Sequence, residues 1–211
     1  MLSVSLPSLR ERKKAATKER LYFEALDLFR HKGFAATTVE EIAEAAEVSK
    51  GTFFNYFPSK EGLLHYLSER LAHTTAEALA AVLAAEALTA QERLARVLQA
   101  LVATVEADRE LSRVAVFELL KVPAAIIADP YRNLLRQTVS ELLLAGQQRG
   151  EVAADLDPDL LSSAITGVYF QQIFEWCAAE RPYPLGDRMT RLLAVLWRAV
   201  GAGTPGGEVA P

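Results

Sequence analysis

Between residues 10 and 200, apolar side chains return at helical spacing almost without interruption. Nowhere does apolar–polar alternation persist long enough to specify a strand. The pattern therefore predicts an all-α fold. Helices are expected over about 10–32, 38–45, 49–56, 61–85, 90–107, 109–121, 130–149, 158–179 and 185–200. Gly33 closes the first, with His31 and Lys32 in its last turn, where the helix dipole favours positive charge. Thr38 and Glu41 have capping-box spacing, and Ser49 can cap the next helix. Pro58 then breaks the chain before a long helix. Pro123, Pro130, Gly150, Pro158, Pro182 and Pro184 punctuate the remainder. Residues 201–211, rich in Gly and Pro, are expected to form a disordered tail.

Just over half of the 211 residues are apolar and 24% are charged, which suits a globular chain with a sizeable core. The net charge is −4, but it is unevenly distributed. Residues 1–62 carry ten Lys/Arg and nine Asp/Glu, while the rest carries thirteen and eighteen. Arg10, Arg12, Lys13, Lys14, Lys18 and Arg20 crowd together near the start. That run is either a solvated helix face or an arm that reaches phosphates. The single cysteine, Cys177, allows no internal disulfide and is expected to pack as a small hydrophobe. With no apolar leader and no membrane-length apolar run, the expected location is the cytoplasm.

Enzyme chemistry finds no foothold. The chain contains no GxSxG, HExxH, P-loop or CxxC pattern. His65 and His73 stand eight residues apart on one helix, too far along its axis to share a metal, and His31 stands alone. No metal and no cofactor is expected.

Residues 34–61 carry the strongest signal. On the 38–45 helix and the turn after it, Val39, Ile42, Ala43, Ala46 and Val48 make a small apolar face. On the next helix, Phe53 and Phe57 lie four apart and share a face, directed at that helix and at the apolar side of residues 15–29. Thr52, Asn55 and Tyr56 then point elsewhere, with Lys50 near the helix start and Gly51 permitting close backbone approach. Two short helices so arranged make a helix-turn-helix, whose second helix can present hydroxyls, an amide and a cation to base edges and phosphates.

The segments FAATTVEEIAEAA and SKGTFFNYFPSKEGLL resemble the DNA-binding signature of the TetR family of bacterial regulators, over about residues 12–64. The resemblance implies a helix-turn-helix DNA-binding domain at 10–57 and a helical ligand-binding and dimerisation domain at 58–200. It implies phosphate contacts from Thr38 and Tyr56, groove-facing Ser49, Lys50 and Thr52, base reading by Asn55, and a backbone anchor at Lys60. Where relatives often carry Tyr, this chain has Phe54, which retains only apolar contact with a thymine methyl.

Residues 158–179 are apolar on nearly every side. Leu161, Ile165, Val168 and Trp176 lie on one side with Gln172, and Tyr169, Phe170, Ile173 and Phe174 lie around the others. The last helix, with Leu192, Leu193, Val195, Leu196 and Trp197, is similarly broad. A homodimer seam through both helices accounts for this, with a larger intramolecular core as the other reading. The resemblance adds a palindromic DNA operator and repression relieved by a small apolar or amphipathic effector, such as an acyl chain or an aromatic. Its candidate contacts are Arg113, Phe117, Glu118, Tyr169, Gln172 and Trp176. A ligand-independent regulator or activator uses the same DNA face. A helical small-molecule binding protein with vestigial DNA binding is the remaining alternative.

Overall fold

A computed structural model describes residues 8–85, 87–121 and 128–200. The tail at 201–211 lies outside the described residues. Nine α-helices, and no strand, occur among those described: α1 (Leu9–Lys32), α2 (Val39–Ala45), α3 (Lys50–Phe54), α4 (Glu61–Leu83), α5 (Ala90–Ala107), α6 (Arg109–Leu120), α7 (Pro130–Gln148), α8 (Pro158–Ala178) and α9 (Leu185–Val200). The chain forms two compact units, divided between Leu67 and Ser68 within α4. The division falls beyond the Pro58 break because Leu63, Leu64 and Leu67, in the first turns of α4, are buried.

The first unit is held by local devices. Ser8 caps α1 in a reciprocal box with Glu11, and Thr38 caps α2 in the same way with Glu41. Only the second half of α1 is buried, through Leu21, Tyr22, Ala25, Leu26 and Phe29. Ala15, expected on that face, is exposed along with the rest of the first turns. Gly33 leaves α1 at φ 84°, a conformation that favours glycine. Phe34, Ile42, Ala46, Phe53 and Phe57 complete the core. α3 ends two residues earlier than its periodicity suggests. Tyr56 and Phe57 then turn back, their N–H groups donating to the Phe53 carbonyl at 2.9 and 3.0 Å.

The second unit buries one continuous core. α5 contributes Leu94, Val97 and Leu101, and α7 contributes Leu135, Val139 and Leu142. Ile165, Tyr169 and Ile173 enter from α8, and Met189 and Leu193 from α9. Asp129 and Asp157 cap α7 and α8, each followed by proline at the first helical position, where no N–H is needed. Gly146 permits a close crossing: a Cβ there would lie 2.8 Å from Val152 Cγ2 and 2.9 Å from Ala90 Cβ. Cys177 is buried, and desolvation pushes its thiol up to about 11. It packs as a hydrophobe, as its setting in the sequence suggested.

Candidate nucleic-acid interface and ligand site

α3 has two unlike faces. Phe53 and Phe57 are sealed in the core, 5.8 Å apart between ring centres. Lys50, Gly51, Phe54 and Asn55 are exposed, with Thr52 and Tyr56 half-buried beside them. Phe54 is 47% exposed, a large apolar side chain on an otherwise polar surface. The turn that aims this helix passes through Glu47 at φ 52°, the left-handed region for a residue that carries a Cβ.

Several polar groups expected at this surface are already engaged. Ser49 Oγ accepts from the Thr52 N–H at 3.0 Å and lies 2.8 Å from Thr52 Oγ1. Thr38 Oγ1 accepts from the Glu41 N–H at 3.2 Å and donates to Glu41 Oε2 at 3.0 Å. Lys50 pairs with Glu40, and this hydrogen bond is the main reason the Glu40 carboxyl sits below its usual range. Glu41 receives Lys32 and the Thr38 groups, which hold its pKa at about 2, with the Lys32 bond the largest cause.

Lys60 is placed differently from the backbone anchor that the resemblance implies. Its ammonium donates to the carbonyls of Phe34, at 2.5 Å, and Thr37, at 2.8 Å, and lies 4.3 Å from the centre of the Phe34 ring. It locks the turn between α1 and α2, and a phosphate contact would require it to leave two acceptors. In the basic run, Lys18 lies over the Tyr66 ring at 3.8 Å, while Arg10, Arg12, Lys13, Lys14 and Arg20 are exposed.

The six residues proposed for ligand contact divide between α6 and α8, which pack together. Phe117 meets Phe174 edge to face at 5.7 Å. From residue 111 to 119, α6 is half-buried on every side and has no fully buried residue. Arg113 pairs with Glu110 at 3.7 Å and Glu118 with Lys121 at 2.6 Å, both near the surface. On α8, Gln172 accepts from Arg188, and Trp176 Nε1 donates to the Tyr183 carbonyl at 2.8 Å. Both polar groups therefore have structural partners.

Tyr169 is fully buried, and its hydroxyl lies 3.1 Å from that of Tyr131 on α7. Tyr131 did not emerge from the sequence. It sits one residue after the proline that opens α7, and no spacing links it to Tyr169, 38 positions away. Asp129 accepts the Arg132 N–H at 2.7 Å on one carboxylate oxygen and the Ser68 hydroxyl on the other. Ser68 belongs to α4, so this buried bond ties α4 to the start of α7.

Among the described residues, no group of three or more His, Cys, Asp or Glu is placed to hold a metal ion. His65 and His73 are both exposed. No helix among the described residues is long and apolar enough to cross a membrane.

One short helix, a tight turn and a second short helix with a sealed aromatic face define a helix-turn-helix protein of the all-helical class. Residues 23–67 match the family model of bacterial regulatory proteins, tetR family. Over 55 residues the chain is 54% identical to the HTH-type transcriptional regulator TcmR of Streptomyces glaucescens, covering 26% of this chain and only 24% of that protein. It is 28% identical to the fatty acid metabolism regulator protein of Bacillus subtilis over 82% of this chain and 89% of that protein. The crystal structure of Thermus thermophilus FadR, a TetR family transcriptional repressor in complex with lauroyl-CoA, matches 92% of this chain and 98% of that one. Its TM-score is 0.73, at 27% identity. Residues 23–67 are thus a TetR-family DNA-binding segment, and over most of its length the chain is similar to members of that family.

Proposed function

We propose that the chain is a homodimeric, ligand-responsive repressor that reads a palindromic DNA operator. The division of α3 into a sealed face and an open one carries this reading. With Phe53 and Phe57 buried, Lys50, Gly51, Thr52, Phe54 and Asn55 are the groups left to meet a groove. Asn55 offers a donor and an acceptor to a base edge, and Phe54 offers apolar surface to a thymine methyl. Lys50 leaves Glu40 for a phosphate or base acceptor. Thr38 and Tyr56 contact phosphates and fix register. Ser49 and Lys60 act chiefly by holding α3 and the preceding turn in place.

Dimerisation has its support on α8 and α9. Leu160 is 70% exposed and Val195 54% exposed, and Val168, Leu192, Leu196 and Trp197 are only half-buried. A second copy would cover these side chains, and twofold symmetry would set two recognition helices on a palindrome. The effector is proposed to be apolar or amphipathic and to enter beside α6, which is half-buried from residue 111 to 119 and packs against α8. Its nature is supported by the Thermus thermophilus repressor, which binds lauroyl-CoA. Effector must bind a DNA-incompetent state more tightly than the competent one, since equal affinity shifts nothing.

Selection of bound sequences from a random duplex pool tests this reading, with a Lys50→Ala/Asn55→Ala/Tyr56→Ala variant as control. The expected result is an enriched palindrome that the variant does not bind. Absence of enrichment at low salt would discard the repressor reading in favour of a small-molecule binding protein.

A further inference from the structure

Two phenols that share one hydrogen bond have a proton left over. At 3.1 Å, one of the Tyr131 and Tyr169 hydroxyls donates to the other, and the second O–H then needs an acceptor of its own. Among the described residues neither hydroxyl has another hydrogen-bond partner. We propose that the Tyr131–Tyr169 hydroxyl pair is the polar anchor of the effector site and takes a neutral carbonyl oxygen on an otherwise apolar molecule. This rests on the ligand-binding reading above and specifies the chemistry of that ligand.

The surroundings select the ligand class. The Phe170 ring lies 5.0 Å from that of Tyr169 and 6.3 Å from that of Tyr131, both edge to face. One helical turn on, Phe174 meets Phe117 of α6, so an aromatic wall leads from the hydroxyls toward the half-buried helix. Apolar walls with one well-placed polar group suit an apolar body with a single acceptor. The same burial disfavours charge. Desolvation pushes Tyr131 up to about 12, with the Asp129 carboxylate adding to the shift, and raises Tyr169 well above its usual value. A site that resists a phenolate also resists a carboxylate, whereas a ketone, ester or thioester oxygen accepts a proton bond without bringing charge. The Arg132 guanidinium lies over the Phe170 ring at 4.7 Å, on the flank of the pair, and is the cation to consider if an anion were to bind.

The full-length chain is titrated with 2-undecanone and propiophenone as neutral carbonyl probes. Undecanoate serves as the anionic comparison and propylbenzene as the comparison without an acceptor. Calorimetry reads the affinities in the wild type, in Tyr131→Phe and in Tyr131→Phe/Tyr169→Phe, with circular dichroism confirming that each variant is folded. At least one ketone is expected to bind about tenfold more tightly than its comparison compound, the worth of one net hydrogen bond. The double variant is expected to lose that advantage while binding propylbenzene as before. A ketone that gains nothing over its comparison compound, or an advantage that survives the double variant, overturns the anchor. Tighter binding of undecanoate overturns the neutral-ligand assignment and places Arg132 at the centre of the site. Duplex selection is scored separately. Operator binding without ketone preference removes the anchor alone, and ketone preference in a chain that selects no duplex removes the regulator reading alone.

Discussion

The two units treat their polar side chains in opposite ways. In the first, the polar groups of α2 and α3 lie at the surface, and the caps Thr38 and Ser49 spend theirs on neighbours three residues away. In the second, polar groups are carried inward and paired over long separations, as in Ser68 with Asp129 and Tyr131 with Tyr169. An outward polar face can exchange its weak local partners for a duplex at little cost. An inward one commits the interior to whatever completes its bonds. The first arrangement suits a rigid reading head, and the second suits a core that responds to what it encloses.

The comparison breaks most readily at Phe53. Phe53→Ala should destabilise the protein by about 3–5 kcal/mol, because the ring is fully buried beneath the surface that α3 presents. Urea denaturation measures this, and a loss below ~1 kcal/mol would mean that α3 is not fixed by its sealed face. Lys60 and Lys50 sharpen the point. Lys60→Met should cost about 1–3 kcal/mol through its two carbonyl partners, whereas exposed Lys50→Met should leave stability nearly unchanged. Binding to a selected duplex should fall in the reverse order, more for Lys50 than for Lys60.

A smaller effect belongs to the turn between α2 and α3. Glu47→Gly should stabilise by up to about 1 kcal/mol, since glycine relieves the left-handed φ of 52°. Glu47→Val should destabilise and should weaken duplex binding, because the turn aims α3. Thermal melts of both variants decide the sign. The smallest effect is that of pH on the α2 cap. Folding lowers the Glu41 carboxyl from 4.5 to about 2. Its contribution is therefore fully present above about pH 4.5 and is lost as pH falls toward 2. Glu41→Gln should flatten that part of the stability–pH curve, and an unchanged curve would remove the cap from the account.

Much of the first unit was legible because its decisive contacts are local. Thr38 with Glu41, Ser49 with Thr52, and Phe53 with Phe57 are three or four residues apart, so periodicity alone places them together. Lys60 escaped that logic. Its carbonyl partners lie 26 and 23 residues back, and nothing local to a lysine beside a break signals that it turns toward them. In the second unit, the sequence marked α8 as broadly apolar and put Tyr169, Gln172 and Trp176 together among the ligand candidates; only the fold showed that Arg188 and the Tyr183 carbonyl engage the polar groups of the last two.

The sequence by itself determined the nine described helices, the Thr38 and Ser49 caps and the sealed face of α3, because helix formation, capping and amphipathic packing depend on neighbours within about one turn. Only the tertiary structure decided that Tyr131 meets Tyr169, that Ser68 meets Asp129 and that Lys60 turns inward. Each of these pairs joins residues more than twenty positions apart. Their meeting depends on how whole helices cross, which no local spacing encodes.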